Sequence, residues 1–315
     1  MEGKDRVLIL GATGYIGRRL VKASIALGHP TFVLFRPENV SNRENCQMFM
    51  EFKMEGAHLL QASLEDRESL VSALKQVDVV VSAVRVIVEQ LQLIEAIKEV
   101  GTIKVIRNVG NLQRFLPSEF GMDVDRMEHA ISPGDRTFVE KRVIRRAIEK
   151  ANIPHTYVSA NCFAGIFLAG LAQLATFMPK RDRVNIHGHG DKKCTWVAEE
   201  DVAMYAILAI DDPRTLNKVL YVRPPANILT QMEVVKIWER IIGKELQKTF
   251  LSAEEWLSTM DRVPLYEQIA VAHMYQIFYL GDLDFKVEGP RGVDSSKLYP
   301  DHKYVTVEEY LRRFA

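Results

Sequence analysis

The feature that most constrains the fold is the run GATGYIG, residues 11–17, set between a short apolar stretch and an amphipathic one. Before it, Arg6-Val7-Leu8-Ile9-Leu10 shows no polar alternation, as expected of a strand buried on both faces of a parallel sheet. After it, Leu20, Val21, Ala23, Ile25 and Leu27 mark an apolar helical face that Gly28 closes. TFVLF, 31–35, reads as a second strand. Strand, glycine loop, helix and strand make one βαβ unit. Gly11 permits the tight turn out of the strand, Gly14 lets the backbone approach a pyrophosphate, and Gly17 lets the helix pack closely on the sheet. With Ala12, Thr13, Tyr15 and Ile16 between them, they lead into a helix whose free N–H groups face the phosphates. The flanking elements turn a weak glycine signal into a dinucleotide site.

The end of the second strand selects the dinucleotide. An acidic residue there suits the ribose hydroxyls of NAD, but this chain has Arg36-Pro37. A guanidinium matches a 2′-phosphate, so NADPH is the expected cofactor.

The alternation of strand and helix continues. Residues 58–62 form a third strand, Ser63 to Asp66 a turn and cap, and Leu70, Val71, Ala73 and Leu74 a helix face. VDVVVSAV, 77–84, is a fourth strand whose end, Ser82-Ala83, should pass beside the cofactor. Leu91, Ile94, Ala96 and Ile97 mark the next helix. The segments 100–104 and 109–113 then look like two copies of one helix-exit unit; we place the fifth strand at 112–116 and an extra strand or bulged loop at 103–106. The expected fold is α/β, a Rossmann-like doubly wound parallel sheet with a smaller C-terminal α/β substrate domain. The expected division is 1–160 with a return near 184–225, against 161–183 and 226–315.

At 315 residues the chain is long enough for one large or two medium domains. Lys+Arg and Asp+Glu both number 41, which argues against nucleic acid or an anionic membrane as the main partner. The cysteines, Cys46, Cys162 and Cys194, are far apart, as in a reducing compartment. The opening MEGKDRVLIL is too short in its apolar run for a signal peptide, and 163–172 is too short to span a bilayer. These readings together predict a soluble cytoplasmic protein.

Proton-transfer candidates come next. FVEKRVIRRAIEK places Lys141 on a helix without the tyrosine of a Tyr-x-x-x-Lys motif. Val143, Ile144, Ala147 and Ile148 read as its apolar face, and Lys141 and Arg145, one turn apart, share another. Spacing alone favours a solvated lysine over a catalytic one. Tyr299 and Lys303 match the motif literally, but Pro300 leaves Tyr299 outside any helix, before an apparent strand at 303–306. His187-Gly188-His189 reads as a glycine turn and not a metal site, because no third ligand accompanies the histidines. Cys162 reads as structural. Phe163 and Phe167 fit either an apolar substrate wall or core. WVAEED, 196–201, reads as a helix start, and Trp238, Ile241 and Ile242 as core.

GATGYIG, HPTFVLFRPE, RFLPSEFGMD, FVEKRVIRRAIE, IPHTYVSANCFAG and SSKLYPDHKYVTVEEYL together resemble the plant isoflavone reductase-like NADPH reductases, almost from end to end. FLPSEFGMDVDRMEHAISPG is most similar to the lignan-reducing members, the pinoresinol–lariciresinol reductases; the phenylcoumaran benzylic ether reductases come next. The resemblance implies NADPH, an aromatic benzylic ether as substrate, and a homodimer. It implies that Lys141 is catalytic and that Arg145 lies on the cofactor side. The full expected site adds His273 as proton donor; Lys53, Ser82, Ala83, Asn161 and Phe163 at the cofactor; and Met122, Phe163, Gly165, Phe167 and His273 at the substrate. The chain departs from the family at Asn45, where a lysine is usual and Arg43 or Lys53 would have to substitute. It departs again after the fourth strand, where SAV runs into RVIVEQLQL without the longer loop of lignan reductases, and in the doubled segment. A non-catalytic NADP-binding redox sensor is the alternative from another class.

Overall fold

The computed structural model describes residues 3–101 and 113–315. The chain forms two interleaved units. Met1–Glu119, Glu140–Val158 and Ala203–Leu220 make the first; Phe120–Val139, Ser159–Val202 and Tyr221–Ala315 make the second. The division therefore differs from the expected one. The return to the first unit is confined to Ala203–Leu220, and Phe120–Val139 belongs to the second.

The first unit is built on a parallel sheet in the order β3-β2-β1-β4-β5. Its strands are β1 (Val7–Leu10), β2 (Thr31–Phe35), β3 (His58–Gln61), β4 (Val79–Ser82) and β5 (Arg114–Leu116). β1 and β4 are buried at every position, which is why VLIL and VVVS carry no polar alternation. They pair in register from Val7↔Val79 to Leu10↔Ser82. Edge strand β3 instead exposes both ends. Strand order reverses between β1 and β4, and at such a switch point the strand ends open a crevice. The helix Gly17–Ala26 buries Leu20, Val21 and Ala23. Asp66 caps the helix Arg67–Leu74 by accepting from the Ser69 N–H at 3.3 Å. A bridge between Phe115 and His155 continues the sheet towards β6 (Thr156–Ser159). The described part of the fifth strand is Arg114–Leu116; Leu112 and the segment 102–112, with most of the doubled sequence, lie outside the described residues.

The second unit packs around Trp196, Trp238, Trp256 and Phe278. Each indole N–H finds a carbonyl: Leu229 at 3.1 Å, Lys180 at 2.8 Å and Val271 at 3.0 Å. Strand Lys193–Val197 pairs parallel with Cys162–Phe163 and antiparallel with Ile228–Thr230. Trp196 thus lies in a strand that ends at Val197, and the helix begins only at Glu199. Strand Arg183–His187 pairs parallel with Gln247–Leu251. The helix Gln231–Ile242 starts with a capping box between Thr230 and Glu233 and stops at Gly243, whose φ of 66° is left-handed. The expected strand at 303–306 is absent; Thr306 instead caps the helix Val307–Arg312. Among the described residues no helix is long and apolar enough to cross a membrane.

Candidate active site

A cleft of about 430 Å³ opens at the carboxyl ends of β1, β2 and β4, lined by Gly11, Ala12, Thr13, Gly14, Arg36, Asn45, Ala83 and Arg85 among others. The glycine loop is as tight as its sequence requires. Gly11 has φ +71°, and a Cβ on it would lie 2.4 Å from the Ala83 carbonyl oxygen. A Cβ on Gly17 would lie 2.0 Å from the Gly11 oxygen, so any larger residue there displaces the loop. Gly14 is exposed, and its N–H is turned to Gly11 O at 2.9 Å. The loop wall therefore has no side chain where a pyrophosphate must approach. Ile16 is the N-cap of the helix behind it, and Tyr15 is exposed, with Arg19 4.5 Å from its ring centre.

Arg36 is exposed at the N-cap of the short helix Pro37–Val40. Asn45 lies in the first turn of the helix Arg43–Met54, whose cap Asn42 accepts from the Asn45 N–H at 3.1 Å. A guanidinium and the start of a helix both favour an anionic group at this end of the cleft. Lys53 does not line it. It sits in the last turn of the same helix, two turns beyond Asn45, and is exposed. At the end of β4, Ala83 lines the cleft and Ser82 is fully buried, its hydroxyl without a hydrogen-bond partner. The open glycine wall and the Arg36 guanidinium fit a dinucleotide phosphate, whereas the buried Ser82 hydroxyl does not reach the cleft.

Lys141 lies on the helix Asp135–Lys150. The buried stripe of this helix keeps Ile144 and Ile148 of its expected apolar face, loses Val143 and takes in both cations. Val143 is 48% exposed, whereas Phe138, Ile144, Arg145 and Ile148 are buried and Lys141 is half-buried. Positions 138, 141, 145 and 148 follow the 3-4-3 spacing of one helix face, so both cations lie in the inward stripe. Lys141 Nζ donates to the Glu119 carbonyl at 2.7 Å. Withdrawal from water lowers its pKa; the Glu119 charge opposes that shift and the Arg145 charge adds to it.

The loop that receives Lys141 is itself pinned. The Ser118 N–H donates to Gln90 Oε1 at 2.7 Å, and Ser118 Oγ donates to the Val84 carbonyl at 2.9 Å. Val84 directly follows Ala83 in the cleft wall. A continuous set of hydrogen bonds thus runs from the cleft to Lys141. Gln90, Ser118 and Glu119 were not among the expected site residues. The signal for Ser118 and Glu119 was polar side chains inside an otherwise apolar run, FLPSEFG.

Arg145 requires a correction. Its side chain is 0% exposed, Nε donates to Glu119 Oε1 at 2.9 Å, Nη2 bonds the other carboxylate oxygen, and its guanidinium stacks 4.4 Å over the Tyr157 ring. No surface is left for a cofactor to touch.

The other expected residues belong to the second unit. Asn161 has φ +55°; its amide donates to the Val222 carbonyl at 2.8 Å, and its buried Oδ1 has no partner. Phe163 and Phe167 are half-buried, and Phe167 packs on the core that holds Met122. The Gly165 N–H donates to Glu199 Oε1 at 2.8 Å. His273 Nε2 donates to the Gly134 carbonyl at 3.0 Å, with its ring 4.9 Å from that of Phe138. His187 is a core residue: Nε2 donates to the Ala172 carbonyl at 2.8 Å, the ring stacks on Phe278, and burial lowers its pKa to about 4. Cys162 and Cys194 are both buried. Tyr299 ends the short helix Ser295–Leu298 and Lys303 lies beyond it in non-helical chain, so the literal motif does not form.

Comparison with known proteins agrees with this architecture. The bifunctional pinoresinol-lariciresinol reductase 2 of Thuja plicata is 55% identical over 321 residues, covering 100% of both chains. The solved structure of AtPrR2 with NADP+ and (+)pinoresinol matches with a TM-score of 0.93 at 47% identity, again over 100% of both. A structure from a crystallographic study of pinoresinol-lariciresinol and phenylcoumaran benzylic ether reductases matches with a TM-score of 0.93 at 54% identity over 100% of both. The model of the NmrA-like family matches residues 3–311. The chain belongs to the NmrA-like family.

Proposed function

We propose that this protein is an NADPH-dependent reductase that opens benzylic ethers of lignans, taking pinoresinol to lariciresinol and on to secoisolariciresinol. The observation that carries the reading is Lys141: a lysine of lowered pKa, held to a loop that is hydrogen-bonded to the wall of the dinucleotide cleft. The names of the full-length relatives supply the substrate class.

The glycine loop and Arg36 would hold the pyrophosphate and the 2′-phosphate of NADPH. When bound, the cofactor supplies the hydride that the benzylic carbon receives. The residues of the chain move protons. The neutral Lys141 amine accepts the proton of the phenol para to the benzylic carbon. The phenolate electron pair moves through the ring, the benzylic C–O bond breaks, and a quinone methide and an alkoxide form. The alkoxide takes a proton from water, and the phenolate restored when the benzylic carbon is reduced takes back the proton held by Lys141. Lowering the lysine pKa increases the neutral fraction near pH 7, where an ordinary lysine is almost wholly charged.

The test is NADPH oxidation with racemic pinoresinol, products resolved on a chiral column, with dehydrodiconiferyl alcohol and an isoflavone run in parallel. Lariciresinol and secoisolariciresinol are the expected products. NADPH binding without reduction of any of the three would reject the enzyme and favour the sensor. Lys141→Ala should lower kcat at least ~100-fold, the scale of a lost general base, while NADPH affinity by fluorescence titration stays within about twofold. For the wild type, kcat should rise with pH along one limb lying below the ordinary lysine pKa of 10.5.

A further inference from the structure

Glu119 is used twice, and both uses bear on Lys141. Its main-chain carbonyl accepts from Lys141 Nζ at 2.7 Å, while its carboxylate accepts from Arg145 one helical turn away. The two side chains of that pair are 3% and 0% exposed. The Arg145 guanidinium is in turn backed by the Tyr157 ring, whose hydroxyl donates to the Arg145 carbonyl at 3.3 Å. A buried ion pair is a poor device for stability alone, since well-packed apolar side chains commonly do as well. Here the pair joins the loop after β5 to the helix at the one place where that loop holds the lysine. We propose that Glu119 and Arg145 are positioning residues for Lys141: they lock the loop onto the helix so that the Glu119 carbonyl fixes the amine, and they set one charge of each sign beside it.

The inference rests on Lys141 being the proton acceptor, but its electrostatic half can be tested without turnover. The charges that act on the amine are Glu119 from the loop and Arg145 from its own helix. Tyr157 of β6 and His155 just before that strand lie beside the pair, and Glu149 lies 3.5 Å from the Tyr157 hydroxyl. Burial lowers the pKa of His155 and raises that of Tyr157, so both stay neutral between about pH 7 and 9.

The experiment compares the wild type with Glu119→Gln, Arg145→Gln, the double variant, Arg145→Lys and Lys141→Ala. The rate at which acetic anhydride modifies Lys141 is followed against pH by peptide mass spectrometry, and the pH profile of kcat is measured beside it. Loss of the attracting carboxylate should move the Lys141 limb to lower pH in Glu119→Gln. Loss of the repelling guanidinium should move it to higher pH in Arg145→Gln. Each shift should be about one pH unit. The double variant should fall between the single ones, and Arg145→Lys should keep the wild-type limb. General loss of structure cannot give two shifts of opposite sign. Shifts of the same sign, or none, in the acetylation limb would overturn the inference. If a glutamine variant does not fold, Glu119→Asp against Arg145→Lys must still leave the limb in place with kcat reduced; a moved limb with unchanged kcat overturns positioning. If Lys141→Ala retains turnover, the catalytic reading of Lys141 fails, and the acetylation shifts still decide the charge coupling independently.

Discussion

At the scale of residues, Arg36 lines the cleft beside Asn45. Neither Arg43 nor Lys53, the two cations of the helix that carries Asn45, lines the cleft with it. Discrimination for the 2′-phosphate therefore falls largely on one guanidinium. A hydrogen bond to a charged group is worth ~1.5–3 kcal/mol. Arg36→Ala should accordingly raise the KM for NADPH roughly 10- to 100-fold and leave that for NADH nearly unchanged, as steady-state kinetics with both cofactors would show. His187 makes a separate prediction. Its folded pKa of about 4 lies below the 6.5 of an ordinary histidine. Between those values the unfolded chain binds a proton that the folded chain refuses. Stability should fall as pH drops from about 6.5 to about 4 and then level off, by up to ~1.4 kcal/mol per pH unit from this one group. Urea titrations across that range should show the slope, and His187→Gln should flatten it.

At the scale of elements, the glycine loop and the lysine helix show how a local sequence is and is not legible. The loop was readable because its constraint is steric and local: three glycines, a buried strand before and a helix after. Gly17→Ala places a methyl group 2.0 Å from a backbone oxygen. It should destabilise the first unit by ~1–3 kcal/mol and abolish NADPH binding, measured by thermal denaturation with and without cofactor. The parallel strands were legible for similar reasons; Lys141 was singled out by the family resemblance, because spacing alone favoured a solvated lysine. The orientation of the lysine helix was legible only in part. Ile144 and Ile148 face inward as its apolar pattern suggested, but Val143 is exposed, and the inward side also takes in Lys141 and Arg145. The deciding partner, Glu119, is distant in sequence and close only in the fold, and no periodicity within the helix announces it. A carboxylate standing in FLPSEFG was the available sign that a buried cation existed somewhere. The interleaving of units was equally hidden, since hydrophobic patterns mark elements and not the core to which each belongs.

At the scale of the whole molecule, the chain leaves and re-enters its first unit, so neither unit is a continuous stretch. Arg114 shows the cost of cutting it. Its buried guanidinium is held by the Asp212 carbonyl at 3.1 Å, by Thr215 Oγ1 at 2.7 Å and by the Ala209 carbonyl, all from the returning segment Ala203–Leu220. A fragment ending at Val158 loses these three partners and should unfold without a cooperative transition in near-UV circular dichroism; adding a peptide spanning 203–220 should restore part of the signal. The same interleaving imposes a timetable on synthesis. Domains fold largely as they emerge from the ribosome, and the first unit has all its parts once Leu220 is out. By then Val184, Ile186 and Trp196 have also emerged, but their partners Trp238, Trp256 and Phe278 are still to be made. For the time it takes to translate the last third of the chain, a finished nucleotide-binding unit carries an unfinished, apolar neighbour, and that interval is when this protein has most need of a chaperone.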